Sequence, residues 1–140
     1  MSSTRPLEIL FVEDDDDHAE LVMRSLAEHH VENRIQRVAD GQAALDVLAA
    51  RPPDVVLLDL RLPLVDGLDV LRAIKTDPVL RRIPVVVLTT SQTESDIARA
   101  YDLHANAYVV KPIGFSTFVD LMRDLGFFWL AWNRAPQARG

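Results

Sequence analysis

The stretch that most constrains this chain is Asp54-Val-Val-Leu-Leu-Asp-Leu-Arg-Leu-Pro63, in which an apolar run ends on a single carboxylate, Asp59. A short apolar run rich in β-branched residues, set behind Pro52-Pro53, predicts a strand buried on both faces, as at the centre of a parallel sheet. Asp59 is then a charge at the end of a buried strand. In open α/β sheets that end faces the crevice where ligands and chemistry collect.

The rest of the chain repeats the same plan. Residues 7–12 are apolar and run into Glu13-Asp14-Asp15-Asp16-Asp17, so a strand delivers five consecutive carboxylates to one loop. From Asp17, the spacing of Ala19, Leu21, Val22 and Leu26 predicts a helix with acids at its start, where they suit the macrodipole. A short second strand is expected over residues 34–38. Asp40-Gly41 then caps a helix through Ala43, Leu45, Val47 and Leu48, which Pro52-Pro53 stops. Beyond Asp59, a second Asp-Gly pair, Asp66-Gly67, begins a helix that buries Leu68, Val70, Leu71 and Ile74 and breaks at Asp77-Pro78. Residues 83–88 predict a fourth strand ending in Thr89-Thr90-Ser91. Residues 94–103 predict a polar, mobile helix, and residues 107–110 a fifth strand ending at Lys111-Pro112. A last helix is expected from about Ser116 to Phe127-Phe128-Trp129, or as far as Trp132. Strand and helix thus alternate five times. That alternation implies right-handed βαβ units and a doubly wound parallel sheet with helices on both faces.

Composition narrows the class. The 140 residues fit one domain, residues 1–140, with 49% hydrophobic and 26% charged residues, as in globular proteins. No apolar run reaches the ~20 residues of a membrane span, and no secretion signal opens the chain, so a cytoplasmic protein without membrane association is expected. The absence of cysteine excludes disulfides and thiolate chemistry. A formal charge of −6 argues against non-specific nucleic-acid binding. The four histidines, His18, His29, His30 and His104, have no ligand spacing, and none is read as catalytic.

Polar residues nonetheless crowd the strand ends: Glu13 and Asp14, Asp59, Thr89 and Lys111. In a parallel sheet these ends share one edge. Converging carboxylates make an oxygen-rich site for a hard divalent cation, for which Mg²⁺ is the best fit and Mn²⁺ the alternative. A carboxylate is a recognised nucleophile toward phosphoryl groups. Asp59 is the expected acceptor, with the Lys111 ammonium and Thr89 hydroxyl on the remaining phosphoryl oxygens.

Ile-Leu-Phe-Val-Glu-Asp-Asp (9–15), Leu-Leu-Asp-Leu-Arg-Leu-Pro-Leu-Val-Asp-Gly (57–67), Val-Val-Leu-Thr-Thr-Ser (86–91) and Tyr-Val-Val-Lys-Pro (108–112) together resemble the receiver domain of two-component response regulators. The resemblance covers residues 9 to about 127. It implies the flavodoxin-like (βα)5 fold with strand order 2-1-3-4-5. It makes Asp59 the phosphoacceptor, Glu13 and Asp14 the acidic pair, and the Arg61 backbone carbonyl a further metal ligand. Thr89 becomes the switch hydroxyl, Tyr108 the switch aromatic and Lys111 the phosphate-binding lysine, followed by a cis Lys111-Pro112 bond. Many members have Asp where Glu13 stands. The extra methylene is expected to move this carboxylate outward, to act through a water.

Three further segments, Asp77-Pro-Val-Leu-Arg-Arg-Ile-Pro84, Tyr101-Asp-Leu-His-Ala-Asn-Ala-Tyr108 and Phe127-Phe-Trp-Leu130, are similar to small regulators paired with bacterial phytochrome histidine kinases, which tend to dimerise. A sensor histidine kinase, here a phytochrome, is the implied partner. Eight of the nine aromatic residues lie from Tyr101 onward. The expectation is a homodimer built on the C-terminal segment, about residues 115–140, through Phe127, Phe128, Trp129 and Trp132. With no span left for an output domain, output is expected to be an interaction. Three other readings compete. A haloacid-dehalogenase-like phosphohydrolase needs a second Asp where Arg61 stands. A flavodoxin-like cofactor binder needs a phosphate-cradling loop where the five acids stand. A scaffold receiver acting without phosphorylation is the strongest rival.

Overall fold

In the computed structural model the described residues are 7–27 and 33–110. The elements follow in the order β1 (Leu7–Val12), α1 (Asp16–Ala27), β2 (Asn33–Val38), α2 (Gly41–Ala50), β3 (Val55–Leu58), α3 (Gly67–Thr76), a 3-10 turn (Leu80–Arg82), β4 (Val85–Thr89), α4 (Glu94–Asp102) and β5 (Ala107–Val110). The five strands form one sheet in the order β2-β1-β3-β4-β5, parallel throughout. The parallel sheet is what the alternation predicts, and the strand order is the flavodoxin-like one that the receiver-domain resemblance implies. The helix expected from about Ser116 lies outside the described residues, as do Lys111, Pro112, Phe127, Phe128, Trp129 and Trp132.

Side chains alternate across the sheet with period two, and each face feeds its own core. Leu10, Val12, Val56, Leu58, Val85 and Val87 pack with residues of α2 and α3 and with Ala100 of α4. Ile9, Phe11, Val55, Leu57, Val86 and Leu88 pack with Ala19 and Val22 of α1. Covering both faces is why β3 and β4 read as unbroken apolar runs, with every residue buried. At about 25 cal/mol per Å² of apolar surface removed from water, these strands and the helices over them supply most of the drive to fold.

The structure corrects the start of one strand and adds three local details that the spacing left open. The fourth strand begins at Val85, not Ile83: the Ile83 N–H closes the 3-10 turn on the Leu80 carbonyl at 2.9 Å, and Pro84 has no N–H to give. Leu21 lies on the outer side of α1 and is exposed, one step of 100° away from the buried Val22. In α2 it is Ala44, rather than Ala43, that is buried with Leu48. Finally, the two Asp-Gly pairs differ. Asp40 caps α2, its Oδ1 accepting from the Ala43 N–H at 2.7 Å, whereas Asp66 makes no side-chain cap on α3. There the Gly67 N–H donates instead to the Leu60 carbonyl at 2.9 Å, which ties α3 to the strand end carrying Asp59.

Candidate functional site

Register delivers the acids to one place. Val12 pairs with both Val38 and Leu58 across the central strands. The hydrogen bonding runs one residue further on each side, with the Glu13 N–H on the Val38 carbonyl at 3.0 Å and the Asp59 N–H on the Val12 carbonyl at 3.1 Å. Glu13 and Asp59 therefore leave neighbouring strands on backbones that are still held. Carboxylate oxygens of Glu13, Asp14 and Asp59 lie within 4.8 Å of one another. Glu13 is 1% exposed and Asp59 7% exposed, while Asp14 faces solvent. At that spacing and an effective dielectric near 20, each ionised pair repels by at least about 3.5 kcal/mol. Clustered hard oxygens of this kind fit a divalent cation such as Mg²⁺ or Mn²⁺.

Glu13 departs from its expected position. The longer side chain does not carry the carboxylate outward: Oε2 folds back under the loop to accept the Asp15 N–H at 3.2 Å. The loop is also clamped from β2. Arg37 donates from Nε and Nη2 to the Glu13 carbonyl at 3.0 and 2.8 Å, and from Nη1 to Asp16 at 2.7 Å. Asp14, Asp15, Asp16 and Asp17 are exposed, as a run of like charges requires.

Asp59 is fixed from its own loop. The Arg61 N–H donates to Asp59 Oδ1 at 3.2 Å, so the backbone beside the proposed carbonyl ligand also orients the carboxylate. Gly67 packs so closely on this segment that a Cβ there would overlap the Asp59 carbonyl oxygen and the Leu60 Cα. At the crest of the loop, Leu64 has φ 69° and is 82% exposed.

On the β4 side, Thr89 is fully buried, and its Oγ1 accepts the Ser91 N–H at 3.3 Å. Tyr108 is half-buried and packs against the larger core; its hydroxyl donates to the Ser91 carbonyl at 3.0 Å. Its ring centroid lies 6.5 Å from that of Tyr101, and burial raises its pKa. Thr89 and Tyr108 thus converge on Ser91 from two adjacent strands.

Two residues of this region escaped the sequence reading. One is Arg37, which alternation along an edge strand presents as an ordinary surface charge. The other is Asp96, at the start of α4, with a carboxylate only 6% exposed. Asp96 Oδ2 accepts from Ser91 Oγ and from Arg61 Nη2, each at 2.5 Å. The Ser91 hydrogen bond, and after it the Arg61 charge, hold this carboxyl below its ordinary range against the opposing effect of burial. The visible signal was Thr93, three positions earlier, whose Oγ1 caps the helix by accepting the Asp96 N–H at 3.1 Å.

The response regulator receiver domain profile matches residues 9–123. The chain is 46% identical over 137 residues to the probable methanogenesis regulatory protein FilR2 of Methanothrix harundinacea, covering 94% of this chain and 88% of that protein. It is 37% identical over 143 residues to response regulator Rcp1 of Synechocystis sp., covering 97% of each. The solved Mn²⁺-bound form of Rcp1 superposes with a TM-score of 0.82 at 38% identity, covering 89% of this chain and 95% of that one. The phosphorylated cyanobacterial phytochrome response regulator RcpA superposes with a TM-score of 0.83 at 41% identity, covering 90% and 95% of the two chains.

Proposed function

The chain belongs to the response regulator receiver domain family, and on that premise we propose that Asp59 accepts a phosphoryl group from the phosphohistidine of a sensor histidine kinase. The observation that carries this reading is the gathering of Glu13, Asp14 and Asp59 within 4.8 Å at the end of the central strand. An Asp59 oxygen attacks phosphorus, the P–N bond to the histidine breaks, and the imidazole takes up a proton. Water later attacks the same phosphorus, the P–O bond to Asp59 breaks, and inorganic phosphate leaves.

Glu13, Asp14, Asp59 and the Arg61 carbonyl are the residues to hold Mg²⁺, with Mn²⁺ as an alternative. When bound, the ion neutralises the charge on the transferring phosphoryl oxygens. The clustering of the acids in the described structure supports a divalent ion of either kind, and the Mn²⁺-bound Rcp1 is in keeping with it. Lys111 and the Thr89 hydroxyl take phosphoryl oxygens that the ion leaves. Drawing Thr89 toward the phosphoryl group disturbs the Ser91 segment that its Oγ1 now holds. Tyr108, bonded to the same segment, shifts with it. Surface readout then occurs over α4, β5 and the segment beyond, a local charge event biasing a two-state face.

Residues 1–140 act as one cytoplasmic receiver domain. The likeness to RcpA, a cyanobacterial phytochrome response regulator, supports a phytochrome kinase as the phosphodonor. FilR2 sets a methanogenesis regulator beside it, so the donor is to be found by experiment. Homodimerisation through Phe127, Phe128, Trp129 and Trp132 completes the reading. The test is phosphotransfer from candidate kinases, phytochrome-linked ones first, to the protein and its Asp59→Asn variant. Labelling of the protein and none of the variant is expected; undiminished labelling of the variant refutes Asp59.

A further inference from the structure

We propose that Asp96 is a positioning residue for phosphoryl chemistry at Asp59: it holds the Arg61 guanidinium away from the acceptor, and the phosphoryl group competes with it for that cation. The proposal rests on the phosphoacceptor reading above and goes beyond it, because it adds a residue on α4 to a site otherwise built from strand ends.

The geometry sets up one cation between two anions. Arg61 is rooted at the acceptor, its backbone N–H lying 3.2 Å from Asp59 Oδ1, yet its guanidinium reaches across to Asp96 Oδ2 at 2.5 Å. The two ends of the pair are unequal: the Arg61 side chain is 59% exposed, while that of Asp96 is nearly enclosed. The guanidinium is the half-exposed end of the pair, on a flexible stem, and Asp96 keeps its Ser91 Oγ bond when Arg61 turns away. Phosphorylation changes the competition. It places about −2 charge and three strong acceptor oxygens on Asp59, against the single charge of Asp96.

An acid in the first turn of a helix ordinarily does no more than favour the macrodipole from solvent. Asp96 does otherwise. Its carboxylate is withdrawn from water, and both side-chain donors on its Oδ2, Ser91 Oγ and Arg61 Nη2, come from outside α4. Burying a carboxylate is tolerated only when charge-assisted bonds replace its hydration. Ser91 also connects Asp96 to the proposed switch, because its carbonyl accepts from the Tyr108 hydroxyl. Arg61, Asp96, Ser91 and Tyr108 therefore form one chain of contacts from the acceptor loop to β5. Withdrawal of Arg61 by the phosphoryl group removes the charge at one end of that chain.

The experiment titrates beryllofluoride, a phosphoryl mimic, at saturating Mg²⁺ into the wild-type protein, Asp96→Asn, Arg61→Gln and the double variant. Asp96→Asn is expected to bind about three- to tenfold tighter, because its neutral amide no longer competes for Arg61. In the Arg61→Gln background the same change is expected to have no effect. Unchanged or weaker binding by folded Asp96→Asn overturns the proposal. So does equal tightening in both backgrounds, which assigns the effect to simple repulsion between anions. Should Asp96→Asn fail to fold, the Arg61 guanidinium NMR signals of the wild-type protein decide: displacement on beryllofluoride binding supports the competition, and unaltered signals overturn it. Wild-type protein that takes up no beryllofluoride refutes the phosphoacceptor reading itself, and the role of Asp96 with it.

Discussion

Gly67→Ala sets two physical effects of opposite sign against each other. Gly67 is the first residue of α3, where helix propensity alone makes alanine better by up to about 1 kcal/mol. Packing says the reverse. A Cβ at this position overlaps the Asp59 carbonyl oxygen and the Leu60 Cα, and both are backbone atoms that cannot rotate away. Forcing extra volume into a packed site costs about 1–3 kcal/mol. Backing α3 off also breaks the Gly67 N–H bond to the Leu60 carbonyl, now 2.9 Å, and a buried polar group left without its partner costs roughly another 1–3 kcal/mol. The net expectation is a loss of about 1–5 kcal/mol, a substantial part of the roughly 5–15 kcal/mol that holds an ordinary domain together. Urea unfolding followed by circular dichroism measures the loss. Because the displaced backbone carries Asp59, weaker Mg²⁺ binding by calorimetry is expected alongside it. A variant as stable as the wild type or more so, with unaltered Mg²⁺ affinity, would refute the packing of α3 on the acceptor segment.

Leu64→Asn is expected to stabilise the protein by about 0.5–1 kcal/mol in the same urea assay. Left-handed φ costs a leucine roughly 1–2 kcal/mol and asparagine less, and a side chain that is 82% exposed gives up little burial; no gain counts against the strain. Arg37→Ala is expected to cost about 1.5–3 kcal/mol, since it removes two charge-assisted bonds to the Glu13 carbonyl. Asp16→Ala, which loses an ion pair whose acid is 89% exposed and a favourable charge in the first turn of α1, is expected to cost at most about 1.5 kcal/mol; equal losses would mean that the clamp on the acidic loop adds nothing. Asp96 has a folded pKa below its ordinary 3.8, so its contribution is fully present above that pH and is lost as pH falls through the lowered value. The stability difference between wild type and Asp96→Asn should therefore shrink in acid unfolding below pH 3.8, and a difference constant with pH excludes that linkage.

What could be read from the chain beforehand was whatever depended on near neighbours or on a repeating period. Continuous apolar runs at β3 and β4 announced strands covered on both faces, and the two cores confirm why no alternation was visible there. The sharing of one sheet edge by Glu13, Asp14 and Asp59 followed from parallel topology. Failures came where a distant group decided the outcome. Asp66-Gly67 looks like Asp40-Gly41 locally, but the Gly67 N–H is taken by Leu60, so one pair caps through its side chain and the other does not. Ile83 has strand character and is nevertheless used to close a turn. Arg37 meets Glu13 from 24 positions away, and Asp96 meets Arg61 from 35, separations at which no local pattern identifies a partner. The lengthened Glu13 side chain suggested an outward reach, yet an adjacent N–H turns it inward.

Trapping the acyl phosphate tests the phosphoacceptor claim most directly. The protein is incubated with Mg²⁺ and acetyl phosphate, reduced with borohydride to convert any aspartyl phosphate into homoserine, and digested for mass spectrometry. Homoserine is predicted at Asp59, to be lost when Mg²⁺ is chelated. Modification at Asp14 or elsewhere with Asp59 intact, or equal yield without a divalent ion, would contradict the account.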